Sequence, residues 1–391
     1  METTSKQVTL GLLGTGGRLR GVVRRLLESA PAGSLRVKAA YDPRADSHAT
    51  LRTVIGDDYE VAPDEDAVIN DPEIDWILIG SWNCHHARQA SAALRAGKHV
   101  FCEKPLATTL EDCLAIRDAV ESSGKQFIFG LVLRYSRHYQ KIREVIDSGK
   151  LGKIISFEFN ETLSFNHGGY IFGNWRRKVA NAGTHLLEKC CHDLDLANWM
   201  AGSLPVRVAS FGGRDFFTPA NRGQIERIGT GPKGEEPFAT WRDTGRTDPF
   251  DGGPDIFDNQ VAILQYANGI RATFHTNCHT AIQERRFYLC GSEGTLRADL
   301  ITGQLELRRI GWETETETVE TIKADGHGGG DNIMAEALAD SILHGTAPLA
   351  SIREGLQSAI TAFGIDRAAD EGTVVDLTPL WCQAGIDPHN A

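Results

Sequence analysis

The alternation of short apolar runs with helical stretches in the first third of the chain constrains the fold more than any other feature. Apolar runs occupy residues 8–13, 35–42, 74–81 and 98–105, and amphipathic helical stretches separate them. Strands that alternate with helices pair in parallel, because each crossover helix returns the chain to the same end of the sheet. The sequence therefore predicts an α/β domain with a doubly wound parallel sheet over residues 1–131.

A glycine-rich turn joins the first apolar run to its helix. Gly14 and Gly16 match the first two glycines of the dinucleotide fingerprint, where one permits a tight turn and the other lets the backbone approach a pyrophosphate. Leu19 holds the third position, so we expect a looser contact between helix and strand. Asp42 ends the second run, where a carboxylate accepts the ribose hydroxyls of NAD and repels the phosphate of NADP. NAD is thus preferred over NADP, although Arg44 follows two residues later.

Polar side chains stand where the third and fourth runs end. Asn83 and His86 follow the third run, and Glu103 and Lys104 follow the fourth. Ligands of open parallel sheets bind beyond the carboxyl ends of the strands, so these residues are candidates for a site. The alternative is that they are ordinary loop residues, and it is weakest for Lys104. Pro105 imposes a rigid bend after Lys104, and the sequence leaves open whether the bond between them is cis.

The second part of the chain, residues 132–391, has a different character. Beyond Leu151 it is rich in strand patterns joined by tight turns, which predicts an α+β domain with a large, mostly antiparallel open sheet. The alternating charged stretch at 312–322 is typical of a protected edge strand. Residues 214–256 lack periodicity, which is typical of a lid or binding loop and also of partial disorder.

A helix predicted from Thr184 to Ala201 combines an apolar composition with ionisable side chains. Glu188, His192 and Asp195 recur on one side of this helix, together with Trp199. Burial of such a row costs free energy unless the groups face partners or a cavity. We therefore expect a polar stripe that lines a pocket, with Asp195 orienting the imidazole. The alternatives are a solvent-facing stripe and a structural Asp–His pair.

Several segments, in order and over nearly the whole chain, resemble the glucose–fructose oxidoreductase, inositol dehydrogenase and rhizopine-catabolism (Gfo/Idh/MocA) family. The most specific are "AGKHVFCEKPLA" and the later H-x-x-D of "EKCCHDLDLANWM". The others include "GLLGTGGRLRG", "LRYSRHY", "GKLGKIISFEFNE", "NWRRK" and "GSEGTLRADL". The resemblance implies a Rossmann nucleotide-binding domain and NAD(P)-dependent oxidation or reduction of sugars, cyclitols or their derivatives.

The resemblance also implies residue roles. Lys104 matches the family's active-site lysine and His192 its catalytic histidine. Glu188 stands where aspartate is usual, so the carboxylate is kept but lengthened, and Lys189 and Cys190 replace a small residue and glycine. The catalytic residues predicted are Lys104, His192 and Glu188. The substrate-binding residues predicted are Lys104, Trp175, Arg176, Glu188 and His192. The cofactor-binding residues predicted are Gly14, Gly16, Gly17, Arg18, Asp42, Arg44, Ser81, Trp82, Asn83, His86, Glu103, Lys104 and Arg134.

These residue types suit the chemistry of a secondary alcohol. A hydride leaves a carbinol carbon only as the hydroxyl loses its proton, and an imidazole has a pKa close to working pH. An ammonium near the oxygen lowers the hydroxyl pKa and polarises the carbonyl in reverse. We therefore expect Lys104 from one domain and His192 from the other to act on the same carbon beside the nicotinamide.

Composition excludes several other classes. The formal net charge is −11 and no basic stripe occurs, which argues against nucleic acid as a partner. The eight cysteines include no C-x-x-C pair, so free thiols in a reducing cytosol are expected rather than disulfides or a zinc site, and no metal is predicted. No signal peptide or membrane-spanning run is evident, so we expect a soluble cytoplasmic protein without a membrane partner.

Three functions fit the sequence. The first is an NAD-dependent dehydrogenase of a sugar or polyol. The second is an enzyme that retains NAD, oxidises a sugar carbon transiently and so cleaves a glycosidic bond by elimination. The third is a non-catalytic sensor of NAD or sugar, which would be expected to have lost the lysine or the histidine. A homodimer or homotetramer is expected, because the exposed face of a large open sheet commonly needs a cover.

Overall fold

The computed structural model describes residues 7–240, 246–251, 253–319 and 327–389. It divides into two compact units, residues 1–136 with 329–356, and residues 137–328 with 357–391. The division therefore falls after Ser136 rather than after residue 131. It also places 329–356, which the sequence assigned to the second domain, in the first unit. One reason is that the backbone N–H of Phe129 donates to the carbonyl of Ala350 (3.0 Å).

The first unit is built on a six-stranded parallel sheet, as predicted. Its strands are β1 (Val8–Leu13), β2 (Leu35–Tyr41), β3 (Glu60–Val61), β4 (Trp76–Ile79), β5 (His99–Cys102) and β6 (Phe127–Phe129). They lie in the order β3-β2-β1-β4-β5-β6, and all neighbours are parallel. Every residue of β4 is buried, as expected for a strand covered on both faces. The main helices are α1 (Gly17–Ser29), α2 (Ala45–Ile55), α3 (Glu65–Ile69), α4 (His86–Arg95) and α5 (Leu110–Ser123).

The expectation that Leu19 loosens the contact between α1 and the sheet is wrong. Leu19 is buried, and Gly80 at the end of β4 makes room for it. A Cβ built on Gly80 would lie 2.5 Å from the Cβ of Leu19. The close approach that the fingerprint obtains from a glycine on the helix is here obtained from a glycine on the strand.

The second unit is built on a nine-stranded sheet. Its strands are β7 (Ile154–Ser164), β8 (Pro205–Gly213), β9 (Asn259–Tyr266), β10 (Arg271–Thr280), β11 (Arg286–Gly291), β12 (Gly294–Asp299), β13 (Gln304–Arg309), β14 (Thr316–Thr318) and β15 (Val375–Asp376). The order is β14-β13-β12-β11-β7-β10-β9-β8-β15, and the pair β7–β10 is parallel while the other pairs are antiparallel. The predicted large, mostly antiparallel sheet is confirmed.

One face of this sheet is buried and the other is open. Along β9 and β10 buried and exposed residues alternate, as the period of a half-covered strand requires. The buried face is aromatic, with the Phe159 ring 4.6 Å from Phe274 and 5.5 Å from Phe287 between centroids. The helices are α6 (Arg137–Asp147), α7 (Phe165–Phe172), α8 (Val179–Ala182), α9 (Cys191–Ala201), α10 (Gln224–Ile228), α11 (Gly330–His344, in the first unit), α12 (Ile352–Glu371) and α13 (Thr378–Gln383).

The predicted edge strand is confirmed in its central part. β14 lies at one edge of the sheet, pairs antiparallel with β13 and is exposed throughout. The predicted residues 320–322 lie outside the described part of the chain.

The described part of segment 214–256 is largely irregular, as the missing periodicity predicts, but it is also packed. Its role as a lid or binding loop stays a prediction. Phe217, Phe238, Phe250 and Ile256 are buried in a small core that the segment forms with α7 and its surroundings. The rings of Phe172 and Phe217 stack with centroids 4.4 Å apart. Aromatic side chains spaced without a helical or strand period bury themselves here, which periodicity cannot reveal. Residues 241–245 and 252 lie outside the described residues.

Two further expectations concern thiols and membranes. All eight cysteines are free. No helix in the described residues is long and apolar enough to span a bilayer.

Candidate active site

The glycine turn between β1 and α1 has the geometry that a pyrophosphate requires. Gly14 adopts φ +76°, and a Cβ there would lie 2.5 Å from the backbone of Ser81, so only glycine fits. Gly16 is the N-cap of α1, and a Cβ on it would meet no atom closer than the Gly80 carbonyl oxygen at 3.9 Å. The first turn of α1 carries no acidic side chain, so its amides face no competing anion from that turn. Gly17 begins the helix.

Asp42 closes this turn from the end of β2. Its Oδ2 accepts from the backbone N–H of Thr15 (2.7 Å), and its Oδ1 accepts from the N–H of Arg44 (2.9 Å). Oδ2 also accepts from Thr15 Oγ1 (3.2 Å), so the acceptor capacity left for a ribose hydroxyl lies mainly on Oδ1. Arg20 lies close by, and burial together with repulsion from Arg44 lowers its pKa. Two cations, Arg20 and Arg44, thus lie near Asp42, the carboxylate that is predicted to favour NAD.

The predicted residues after β4 have different environments. Ser81 Oγ donates to the Gln89 side chain (2.6 Å), Trp82 is 45% exposed, and Asn83 is buried. His86 is buried with its Nδ1 2.8 Å from the carbonyl oxygen of Pro105 and its Nε2 3.2 Å from that of Ser81. Burial lowers the pKa of His86. The imidazole therefore connects the ends of β4 and β5.

Glu103 is held by an arginine from the glycine turn. Arg18 Nε donates to Glu103 Oε1 (2.8 Å), and Arg18 Nη1 donates to Asp331 of α11. Burial alone would lower the pKa of Arg18, but the two carboxylates outweigh it and raise the pKa. Asp331 lies in the first turn of α11, after an N-cap at Gly329. Arg18 and Glu103, both predicted to bind the cofactor, thus bind each other.

Lys104 lies two residues after the end of β5. Its side chain is half-buried, and the bond to Pro105, which the sequence left open, is cis. Arg134 lies in a short 3₁₀ helix, and its Nη1 donates to the carbonyl of Leu349 (3.5 Å). Both residues belong to the first unit.

The predicted helix from Thr184 to Ala201 is not one regular α-helix. Residues Leu186–Cys190 form a π-helix, and α9 begins at Cys191. Glu188 therefore lies on the π-helix and His192 on α9, so no single helical period relates them, and the polar stripe along one pocket stays a prediction. A short π-helix within or beside an α-helix has no sequence period of its own, and such π-helices frequently occur at functional sites. His192 is 3% exposed and Asp195 is 1% exposed, so the interpretation as a solvent-facing stripe is excluded for both.

Glu188 is bound by an arginine that aromatic rings hold in place. Arg176 Nε donates to Glu188 Oε1 (3.0 Å), and Arg176 Nη1 donates to the hydroxyl of Tyr170 (2.8 Å). The guanidinium carbon lies 4.3 Å from the Trp175 ring centroid and 5.0 Å from that of Tyr170. Three predicted substrate residues are thereby brought together. Tyr170 was missed, although it lies just before "NWRRK".

A buried ion-pair network includes side chains of the π-helix and its neighbours, and no pattern in the sequence predicts it. Arg285 binds both oxygens of Asp193 (2.8 and 2.7 Å), and Glu161 lies 3.2 Å from Arg285 and 3.0 Å from Lys189. Burial would raise the pKa of Glu161, but the two cations lower it. Donor atoms of Glu161, Cys190 and Asp193 lie within 4.8 Å of one another, as metal ligands do. The two cations already neutralise the carboxylates, so we interpret the cluster as structural.

A second histidine lies beside the predicted base. The ring centroids of His192 and His327 are 6.4 Å apart, and both residues belong to the second unit. His327 is half-buried. The cofactor candidates and Lys104 belong to the first unit, so the convergence of Lys104 and His192 on one carbon stays a prediction, as does the role of Asp195.

Comparison with known proteins assigns both parts of the chain to one family. Residues 8–131 match the family model described as the oxidoreductase family, NAD-binding Rossmann fold. Residues 143–377 match the model of the C-terminal alpha/beta domain of the same oxidoreductase family.

Individual relatives are more distant. An inositol 2-dehydrogenase of Pseudomonas fluorescens (strain SBW25) is 34% identical over 193 residues, which is 49% of this chain and 54% of the relative. An inositol 2-dehydrogenase 3 of Saccharopolyspora erythraea is 36% identical over 146 residues, 37% of this chain and 42% of the relative. The match thus spans about half the length of these curated relatives.

Solved structures share the fold over nearly the whole chain. A levoglucosan dehydrogenase in complex with NADH and levoglucosan has a TM-score of 0.77 at 21% identity and covers 95% of this chain and 100% of its own. A myo-inositol 2-dehydrogenase from Lactobacillus plantarum has a TM-score of 0.72 at 20% identity, with 95% and 99% covered.

Proposed function

Because the chain belongs to the Gfo/Idh/MocA family of oxidoreductases, we propose that it is an NAD-dependent dehydrogenase of a sugar, cyclitol or related polyol. It oxidises a secondary alcohol or reduces the corresponding ketone. The observation that carries the proposal is the buried imidazole of His192 at the start of α9, directly after the π-turn that holds the arginine-bound Glu188. The relatives named inositol 2-dehydrogenase and levoglucosan dehydrogenase support this class of substrate.

The first unit supplies the residues that would hold NAD. The turn from Gly14 to Gly17 and the amides of α1 would receive the pyrophosphate, and Asp42 would accept the ribose hydroxyls. When bound, the nicotinamide supplies the acceptor for the hydride. Arg18 fixes Glu103, and through it the start of the segment that carries Lys104.

His192 acts as the general base in this proposal. It takes the hydroxyl proton as the alcohol becomes a ketone, a contribution of typically ~10²–10⁴-fold. Lys104 acts as the ammonium that stabilises the developing alkoxide and polarises the carbonyl in the reverse direction. Within its own unit, Lys104 is half-buried and is joined to Pro105 by a cis peptide bond.

Arg176, Glu188 and Trp175 bind the substrate hydroxyls in this proposal. Arg176 is held by three neighbours, so little conformational entropy remains to be lost when it donates to a hydroxyl. Glu188 and Arg176 neutralise each other, which suits an uncharged polyol better than an anionic one. Glu188 keeps acceptor capacity on its carboxylate for a hydroxyl donor.

We further propose that the protein is a homodimer or homotetramer through the open face of the nine-stranded sheet. Phe211 is 74% exposed and Ile263 is 61% exposed on adjacent strands of that face, and Val261 is 48% exposed. Such a contiguous apolar surface is typical of an interface. Light scattering at micromolar concentration should show an oligomer, and a monomer would contradict the proposal.

The function is tested by mass spectrometry of any nucleotide carried by the purified protein, followed by a screen of polyols and keto-sugars. We expect net accumulation of NADH with a free polyol and NAD. Cleavage of a glycoside without added NAD and without net NADH would instead indicate the elimination reaction. Tight binding of NAD with neither activity would indicate the sensor.

A further inference from the structure

We propose that His327 carries the proton between His192 and solvent, a role that rests on the proposed dehydrogenase function. His192 can serve as base in every turnover only if the proton it takes reaches bulk water before the next one. The imidazole of His192 is 3% exposed, so direct exchange with solvent is hindered. A second titratable group at the border of the buried region would remove this obstacle.

His327 has the position that this role needs. Its ring centroid lies 6.4 Å from that of His192, with the planes tilted by 54°. At this separation one water molecule can link a nitrogen of one ring to a nitrogen of the other. His327 is half-buried, so its ring reaches both the buried histidine and the surface. An imidazole is also the side chain whose ordinary pKa best suits both uptake and release near neutral pH.

The carboxylates nearest to His192 along the helix do not offer an exit. Glu188 is buried and bound by Arg176 at 3.0 Å. Asp193 is buried and bound through both oxygens by Arg285. Protonation of either one would weaken an ion pair inside the protein, which costs free energy. Asp195 is 1% exposed, so it has no direct route to water.

The proton and electron balance is closed without a further reagent. The C–H bond of the carbinol breaks and its electron pair leaves with the hydrogen to NAD. The O–H bond breaks, its electron pair forms the carbonyl, and the proton passes to a nitrogen of His192. From the imidazolium the proton moves through water to His327 and then to solvent, which restores neutral His192. Reduction of the ketone runs the same path in reverse.

The test is His327→Gln in the full chain, assayed with NAD and the best polyol at low buffer concentration. We expect kcat to fall about tenfold, less than the ~10²–10⁴-fold typical of the base itself, because water and residual buffer can still carry the proton slowly. The KM values for NAD and polyol should stay nearly unchanged, because neither ligand contacts His327 in this proposal. Added imidazole should restore most of kcat, since a small diffusible base can replace the missing ring, and a purely structural loss would not respond.

Two further variants give the result its meaning. His344→Gln makes the same change at the exposed last residue of α11 and should leave kcat and its response to imidazole at wild-type values. In a His192→Gln background, the change at His327 should cause no additional loss, because two residues that act in series are not additive.

The outcomes separate the two proposals. Wild-type kcat in His327→Gln at low buffer overturns the relay. A loss that imidazole does not restore, and that adds to the loss in His192→Gln, overturns it as well. If wild type reduces NAD with none of the polyols tested, the dehydrogenase function itself is overturned, and the relay with it.

Discussion

Asp366 supports the start of the π-helix, and its replacement by asparagine is expected to stabilise the protein above neutral pH. The carboxylate is buried on α12, where its Oδ2 accepts from Thr184 Oγ1 (2.5 Å) and its Oδ1 accepts from Gln260 Nε2 (3.3 Å). Thr184 Oγ1 in turn accepts from the backbone N–H of Leu187 at 3.2 Å. Burial raises the pKa of Asp366 from 3.8 to about 7.

The size and sign of the effect follow from this shift. The folded state holds the proton more tightly than the unfolded state, so stability is undiminished below about pH 4 and falls as the pH rises to about 7. A shift of roughly three pH units corresponds to about 4 kcal/mol, at about 1.36 kcal/mol per unit. Asparagine of nearly the same shape still accepts from Gln260 and can donate to Thr184, but it cannot ionise.

The assay is urea unfolding of wild type and Asp366→Asn at pH 5 and pH 8. Between pH 5 and pH 8 the free energy of unfolding of wild type should fall by roughly 3 kcal/mol relative to that of the variant, because this range includes about two pH units below the raised pKa. Comparison at equal pH cancels the other titrating groups. Asp370→Asn, an exposed change on the same helix, is the matched control. It removes only a minor repulsion that helps to raise the pKa of Asp366, so its pH profile should lie close to that of wild type. Parallel pH profiles for wild type and Asp366→Asn would refute the reasoning.

Three other predictions concern the network, the cofactor and the chemistry. Arg285→Met should destabilise the protein by roughly 3–5 kcal/mol in urea unfolding, because it leaves buried carboxylates without their guanidinium; a change below about 1 kcal/mol would contradict a charged network. Asp42→Ala should lower kcat/KM with NAD and raise it with NADP, because the repelling carboxylate is lost while Arg44 remains; an unchanged ratio would contradict the assigned role. Lys104→Met and His192→Ala should each lower kcat at least about tenfold while NAD still binds in calorimetry, and near-normal turnover in either variant would remove that residue from the mechanism.

Much of the fold follows from local patterns in the chain. The apolar runs that end near Leu13 and Cys102 predict parallel strands, and the alternation after Leu151 predicts the large second sheet. The "EKP" and H-x-x-D motifs resemble those of the Gfo/Idh/MocA family, and this resemblance makes Lys104 and His192 the catalytic candidates. Such features lie within a few residues of one another, so a sequence displays them directly.

Other features depend on residues that meet only after folding. Arg18 binds both Glu103 and Asp331, and Asp331 lies 313 residues after Arg18 in the chain. This contact helps assign α11 to the first unit. The network around Arg285 joins side chains from β7, the π-helix and α9. None of these pairs has a period, so no local pattern predicts them.

The sequence by itself determined the two sheets, the glycine turn and the identity of the lysine and histidine, because backbone periodicity and residue chemistry are local properties. The tertiary structure alone decided that a π-helix precedes α9, that Arg176 binds Glu188, and that His327 lies beside His192. These arrangements depend on which buried charges find partners when the chain packs, since a buried charge without one costs several kcal/mol.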